Sequence, residues 1–330
     1  MKLSFSIQYW NGIDWNAFRA AAVDARLQGI ELYDIDGPVF QGKSSPTNPE
    51  LAAATRRGLT HQGLSIPCVD TVGDFTDPGF ERELSECVEV AVNLGVACVG
   101  VHTSNDNQAA CAERMGMLLN AVGQKPVTIL IETTGAYADT ARLRDLLNRF
   151  ADDRLAAVWD MHSTCVSAGE DAETTITNLG AYVRHVHLHD YRREQGRAVP
   201  ELVGEGDLPM KDLMNALRSV NYDGFISLQW NPDWIDELSD IEIILTHFSS
   251  CMSRFESTRL NRKQLYWNNR HTGTYPWKKE TLIDKTFPQV LDTMVQEYPD
   301  QLAIKFTTLD YTRTYSQFRD DVDEFARALV

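Results

Sequence analysis

The amino-acid sequence predicts a (β/α)8 barrel, and three observations carry that prediction. Short β-like runs alternate eight times with longer stretches of helical period between residues 3 and 255. The spacing between successive runs is what a strand, a covering helix and two short loops require. Most runs close on a polar or ionisable residue, as strands do where a barrel gathers its chemistry at the C-terminal rim. An open doubly wound sheet is the alternative, weakened because no GxGxxG fingerprint follows the first run.

In order, the first run at residues 3–8 leads into a helix at 15–27, and the second at 29–33 into one at 49–62. A third run at 64–69 precedes a helix at 80–94, a fourth at 98–102 one at 113–122, and a fifth at 128–133 one at 141–150. The sixth and seventh runs lie at 156–161 and 182–189, with a helix at 210–219; the eighth, 224–230, precedes a helix at 236–255. Helix formers dominate most of the helical stretches.

Beyond residue 255 the texture changes. Residues 256–280 are polar, aromatic and basic without a period, as a linker would be, and residues 281–330 carry an amphipathic helix, a hairpin-like pair and a second helix. About fifty residues ending in mid-helix make an incomplete domain, so the sequence reads as a fragment or the product of an interrupted reading frame.

The 330 residues carry a formal charge of −16 with no basic run, which argues against nucleic acid as a partner. The opening "MKLSFSIQYWNG" lacks the apolar core of a signal peptide and no stretch approaches a membrane span, so a soluble, cytoplasmic protein is expected. Six scattered cysteines form no close pair and read as reduced thiols, none a strong nucleophile candidate.

The strand ends carry the chemistry. In "HVHLHD", residues 185–190, the period of a strand puts His185, His187 and His189 on one face and Val186 and Leu188 on the other. The other runs offer Glu31, His102, Glu132, Asp160, His162, Gln229 and Trp230. Glu31 is also readable as a buried ion-pair member and His102 as a cap on a backbone carbonyl. Simple alternation sets His162 opposite to Trp159 and Met161, and its inward placement depends on the twist of the strand. An acid closing an aliphatic strand is costly to bury unless paired or metal-bound, and Glu132 and Asp160 both fit that description. With His187 they suit a divalent cation such as Mn2+, Mg2+ or Zn2+.

The segments "GIELYD", "VHTS", "ILIET", "VWDMH", "HVHLHD", "VGEGDLP" and "YDGFISLQW", in that order, resemble the xylose-isomerase-like sugar phosphate isomerase and epimerase superfamily, which includes endonuclease IV nucleases and 3-dehydroshikimate dehydratases. The resemblance covers residues 1–255. It implies Glu132, Asp160 and His187 as metal ligands, with Gln229 in a fourth place that is usually glutamate. Since the carboxylates of the fifth and eighth strands form the family's proton-transferring pair, Gln229 removes one base. The family often has histidine where Ser163 stands, so the multi-metal nuclease site looks incomplete. The segments "TFPQVLDTMVQEYPDQLAIKF" and "YTRTYSQFRDDVDEFARALV" resemble the opening of an AMP-dependent synthetase and ligase. That family's ATP-binding motifs would lie beyond Val330, in a downstream adenylation domain, so this chain alone is not expected to adenylate anything.

Three functions follow. The first is a metal-dependent isomerase or epimerase of a polyhydroxylated ketone or aldehyde. There Glu132 moves the proton and His102 and His189 orient hydroxyls, with Glu31, His162, Glu205 and Trp230 as further substrate-binding residues. The second is a lyase dehydrating a cyclic hydroxy-keto acid, a reaction that suits a single base and would supply a carboxylic acid to a fused ligase. The third is a barrel that has lost catalysis and serves as a binding module. Substrate identity and self-association are left open.

Overall fold

The computed structural model describes residues 1–42, 45–255, 286–306 and 311–329. The chain divides into two units, Met1–Glu256 and Ser257–Val330. In the first, eight parallel strands close a barrel: β1 (Lys2–Ser6), β2 (Gly29–Tyr33), β3 (Val69–Asp74), β4 (Cys98–His102), β5 (Thr128–Glu132), β6 (Leu155–Asp160), β7 (Val183–Leu188) and, after a hairpin, β10 (Phe225–Leu228). Each pairs with its sequence neighbour, and β10 closes on β1 with Lys2 opposite Phe225.

The covering helices are α1 (Trp15–Asp24), α2 (Ala52–His61), α3 (Phe80–Leu94), α4 (Gln108–Val122), α5 (Thr140–Phe150), α6 (Met161–Val166), α7 (Ala172–Leu179), α8 (Met210–Ser219) and α9 (Ile241–Ser253). On α3 the buried side chains Phe80, Leu84, Cys87, Val88, Ala91 and Leu94 recur at helical spacing, so one stripe packs on the sheet. Six of the helices begin at an Asp or Asn whose side chain accepts from a first-turn N–H: Asp14, Asn107, Asp139, Asp160, Asp171 and Asp240. Each such cap contributes about 1 kcal/mol and sets where a strand-to-helix loop stops.

Three parts of the barrel differ from the sequence reading. The third strand lies later than residues 64–69, because Pro67 has no N–H for a ladder; Ser65 makes only an isolated bridge to Gly29, and pairing begins at Val69. Two short helices, α6 and α7, fill the stretch between β6 and β7, where neither is long enough to display a clear period. After β7 the chain forms the hairpin β8 (Asp190–Glu194) and β9 (Arg197–Glu201). Its turn residues Gln195 and Gly196 both have positive φ, 47° and 82°, the conformation of a type I′ turn.

In the second unit, helix α10 (Phe287–Glu297) precedes the antiparallel pair β11 (Leu302–Phe306) and β12 (Tyr311–Thr314), followed by α11 (Tyr315–Ala328). Capping boxes at Thr286 with Gln289 and at Thr314 with Gln317 start the two helices. The linker expected at 256–280 lies outside the described residues. Among the described residues, no helix is long and apolar enough to cross a membrane.

Candidate active site

A cavity of about 500 Å³ opens among residues from the C-terminal ends of the strands. Its wall includes Tyr9 and Tyr33, Asp70 from β3, His102, Glu132, Asp160, His162, His187, His189, Gln229 and Trp234. Parallel register sets these side chains at one level: Asp160 pairs with His187 across β6 and β7, and His187 pairs with Ser227, two residues below Gln229.

His187 is the hub. Its Nδ1 lies 2.5 Å from Glu132 Oε1 and 3.0 Å from the side-chain amide of Gln229. Its Nε2 lies 2.7 Å from Glu31 Oε1, while the other oxygen of Glu31 lies 2.7 Å from His185 Nε2. Burial would strip the proton from His187, but Glu31 and Glu132 hold its pKa well above the usual range, so both ring nitrogens donate. The Gln229 atom nearest Nδ1 is its Nε2, while Glu132 Oε1 accepts from Nδ1. Burial also works against charge on Glu31, yet His187 and His185 keep it well below the ordinary carboxylate range.

Asp70 was hidden in the sequence by the misplaced third strand. It reaches the cavity between Cys68, whose Sγ donates to Asp70 Oδ1 at 3.3 Å, and His187, 3.8 Å away. Burial and the neighbouring Glu31 push its carboxyl well above the usual range. It fits because β4 has glycine opposite: a Cβ on Gly100 would lie 1.9 Å from Asp70 Oδ1. Gly100→Ala should therefore displace Asp70 and cost about 1–3 kcal/mol in urea unfolding, the range for overpacking. Unchanged stability would mean that the Asp70 carboxyl swings aside freely.

Glu31 is fully buried and absent from the cavity wall, because its strand position points it beneath His187. His185, also buried, lies in the same lower layer. His162 does reach the wall, since Asp160 caps α6 and the chain there has left strand alternation. Its ring stacks on His189 at 4.0 Å, and burial pushes both down to about 4, so both are neutral imidazoles. His189 Nδ1 is buried without a hydrogen-bond partner. His102 lines the wall, and its main-chain oxygen accepts from Phe75.

Trp230 and Glu205 are not in the wall. Trp230 is buried with its Nε1 donating to Leu238 O, and it packs edge-on against Trp234, the tryptophan that faces the cavity. Glu205 is exposed on the loop that Asp190 ties down by accepting from the main chain of Gly204, Gly206 and Leu208. Burial pushes the Cys98 and Cys165 thiols up to about 11, in keeping with unreactive cysteines.

Residues 19–246 match the xylose isomerase-like TIM barrel. The chain belongs to that family. A putative hydroxypyruvate isomerase of Streptomyces coelicolor is 25% identical over 251 residues, which span 64% of this chain and 84% of that protein. Among solved structures, the IolI protein with a bound zinc atom superposes with a TM-score of 0.64 at 14% identity, covering 78% of this chain and 100% of the other. L-ribulose 3-epimerase gives 0.63 at 14% identity, covering 82% and 99%.

Within this xylose isomerase-like barrel, two trios each have one donor atom apiece within 4.8 Å of one another among the described residues: Glu31, His185 and His187, and Asp160, His162 and His189. Glu132, Asp160 and His187 are not themselves such a trio. Hydrogen bonds among its own members already satisfy the first trio. On the wall, Asp160, His162 and His189 are the trio within reach of one ion, while Glu132 and the Gln229 amide converge on His187 Nδ1 with Asp160 on the neighbouring strand. That set is rich in oxygen but has one negative charge fewer than it would with glutamate at 229.

Proposed function

We propose that the barrel is a metal-dependent isomerase or epimerase-like enzyme that moves a proton on the carbon next to a carbonyl. The observation that carries this reading is the convergence of Glu132 and Gln229 on His187, with Asp160 beside them, at the mouth of one cavity. A divalent ion held by Glu132, Asp160, Gln229 and His187, whose Nδ1 would have to give up its proton to ligate it, would polarise the carbonyl and its neighbouring hydroxyl. Glu132 is the base: burial raises its pKa, but His187 and His102 hold it low, so it is ionised near neutral pH. His102 and His189, both in the wall, orient hydroxyls. Glu31 and His185 fix the His187 ring from below.

Gln229 decides between variants of this chemistry. An amide cannot take a proton, so the face opposite Glu132 offers no carboxylate base from β10. One-base isomerisation, in which Glu132 returns the proton to the neighbouring carbon on the same face, fits better than inversion of a centre. Loss of water after the same proton abstraction is the second reading, favoured by that single base. For the second unit, kinship with adenylate-forming enzymes rests on sequence resemblance alone.

Metal-depleted protein should be inactive and recover with Mn2+ or Zn2+. Gln229→Glu should tighten metal binding on the order of tenfold, about 1.4 kcal/mol. Exchange of the α-proton of a ketose with 2H2O, without water loss, marks the isomerase; a new enone absorbance marks the lyase. Protein that holds no divalent ion, with none gained in Gln229→Glu, would sink both.

A further inference from the structure

We propose that the cavity selects an uncharged polyhydroxylated carbonyl compound, a free sugar, over a phosphate ester or a carboxylic acid. This rests on the proton-transfer reading above and narrows its substrate class.

The wall holds three carboxyl groups, Asp70, Glu132 and Asp160, and no lysine or arginine lines it among the described residues. A divalent ion would offset part of that charge at one end of the cavity only. His187, the cationic side chain that lines the wall, is already paired through both ring nitrogens with Glu132 and Glu31. An anionic group elsewhere on a substrate would therefore leave water with no free cation to meet it, a cost that hydroxyl groups do not carry. Proteins that bind phosphate or carboxylate commonly supply the guanidinium fork or an ammonium for that purpose.

The loops carry the same pattern outward. Barrels of this type often bind phosphate around the loops after the seventh and eighth strands. After β10 the chain reads "NPDWIDELSDIE", and residues 219–253 contain no lysine or arginine at all. Asp233, Asp236, Glu237 and Asp240 are exposed there, around the turn that puts Trp234 into the cavity. After β7 the arginines stand on the hairpin outside the wall. Arg192 is paired with Glu201 and with the main chain of Glu205, and Arg193 and Arg197 are exposed.

What the wall does provide suits a sugar. Tyr9, Tyr33 and Trp234 supply ring faces for C–H groups, and Gln8, Thr71 and the imidazoles of His162 and His189 supply neutral hydrogen-bonding groups. Tyr9 is held at φ 69°, a conformation costly for a bulky residue and typical of functional positions.

The test loads the full chain with Mn2+ and measures proton exchange in 2H2O with free ketohexoses, their 6-phosphates and hydroxypyruvate. The free ketoses should lead by at least about 100-fold in kcat/KM, the discrimination expected for an unpaired buried charge. A phosphate ester or hydroxypyruvate turned over as well as the best free ketose would overturn the proposal while leaving the proton-transfer reading intact. If nothing exchanges, the proton-transfer reading fails and calorimetric binding decides the proposal. A hexitol that binds when its phosphate does not supports it; tighter binding of the phosphate, or of neither, overturns it. Gln8→Lys should raise the affinity for the phosphate esters relative to the free sugars.

Discussion

Glu132→Gln is expected to lower α-proton exchange by about 10³-fold or more while leaving the barrel folded. The substitution keeps the shape of the side chain and an oxygen for the metal, and removes only the ability to take a proton. Glu132 closes β5, with its side chain still 17% exposed to the cavity, so the amide is not forced into a dry core. Loss of its charge leaves His187 paired with Glu31 through Nε2 and free to become neutral at Nδ1. Thermal unfolding should therefore move little. Exchange that proceeds at the parent rate would overturn the assignment of Glu132 as the base, and a collapsed melting transition would assign it a structural role instead.

Glu31→Ala should have the largest effect on stability, about 3–5 kcal/mol, because it leaves two buried imidazoles without their shared acceptor. Glu31→Gln is the milder variant. It can still accept from one imidazole, but no longer holds the His187 ring by charge, and metal affinity should fall about 10–100-fold. The pH dependence has a definite sign. The Glu31 carboxyl is held below its ordinary value of 4.5, so its contribution is present above about pH 4.5 and lost as the pH falls further. In the metal-free barrel, Glu31→Gln should flatten that acid limb in denaturant titrations from pH 6 to 3. An unchanged limb and unchanged metal affinity would show that Glu31 neither stabilises nor positions.

Much of the site was readable from residue order. Glu132 and Asp160 were singled out because each closes a short aliphatic run, which has few structural explanations, and His187 because it stands in a run of three alternating imidazoles. Asp70 was missed for a local reason: Pro67 interrupts the ladder, so the apolar run 64–69 precedes its strand instead of forming it. The available signal was the β-branched content of Val69, Thr71 and Val72 and a glycine at 100 with no turn to explain it. Trp234 escaped because it follows the strand, in a short 3-10 turn (Pro232–Trp234) that has no period to read.

By itself the sequence determined the eightfold alternation, the caps that start the helices, the acids and imidazoles at the strand ends, and the amide at 229. These are properties of single elements, set by side-chain period and local hydrogen bonding. Only the tertiary structure decided depth. Period two says that Glu31, His185, His187 and His189 share the barrel face of their strands. The stagger between neighbouring strands then puts Glu31 and His185 in a closed layer, His187 at its boundary and His189 in the wall. Which carboxylate faces the cavity and which lies beneath a ring depends on that stagger, a relation between strands distant in the chain.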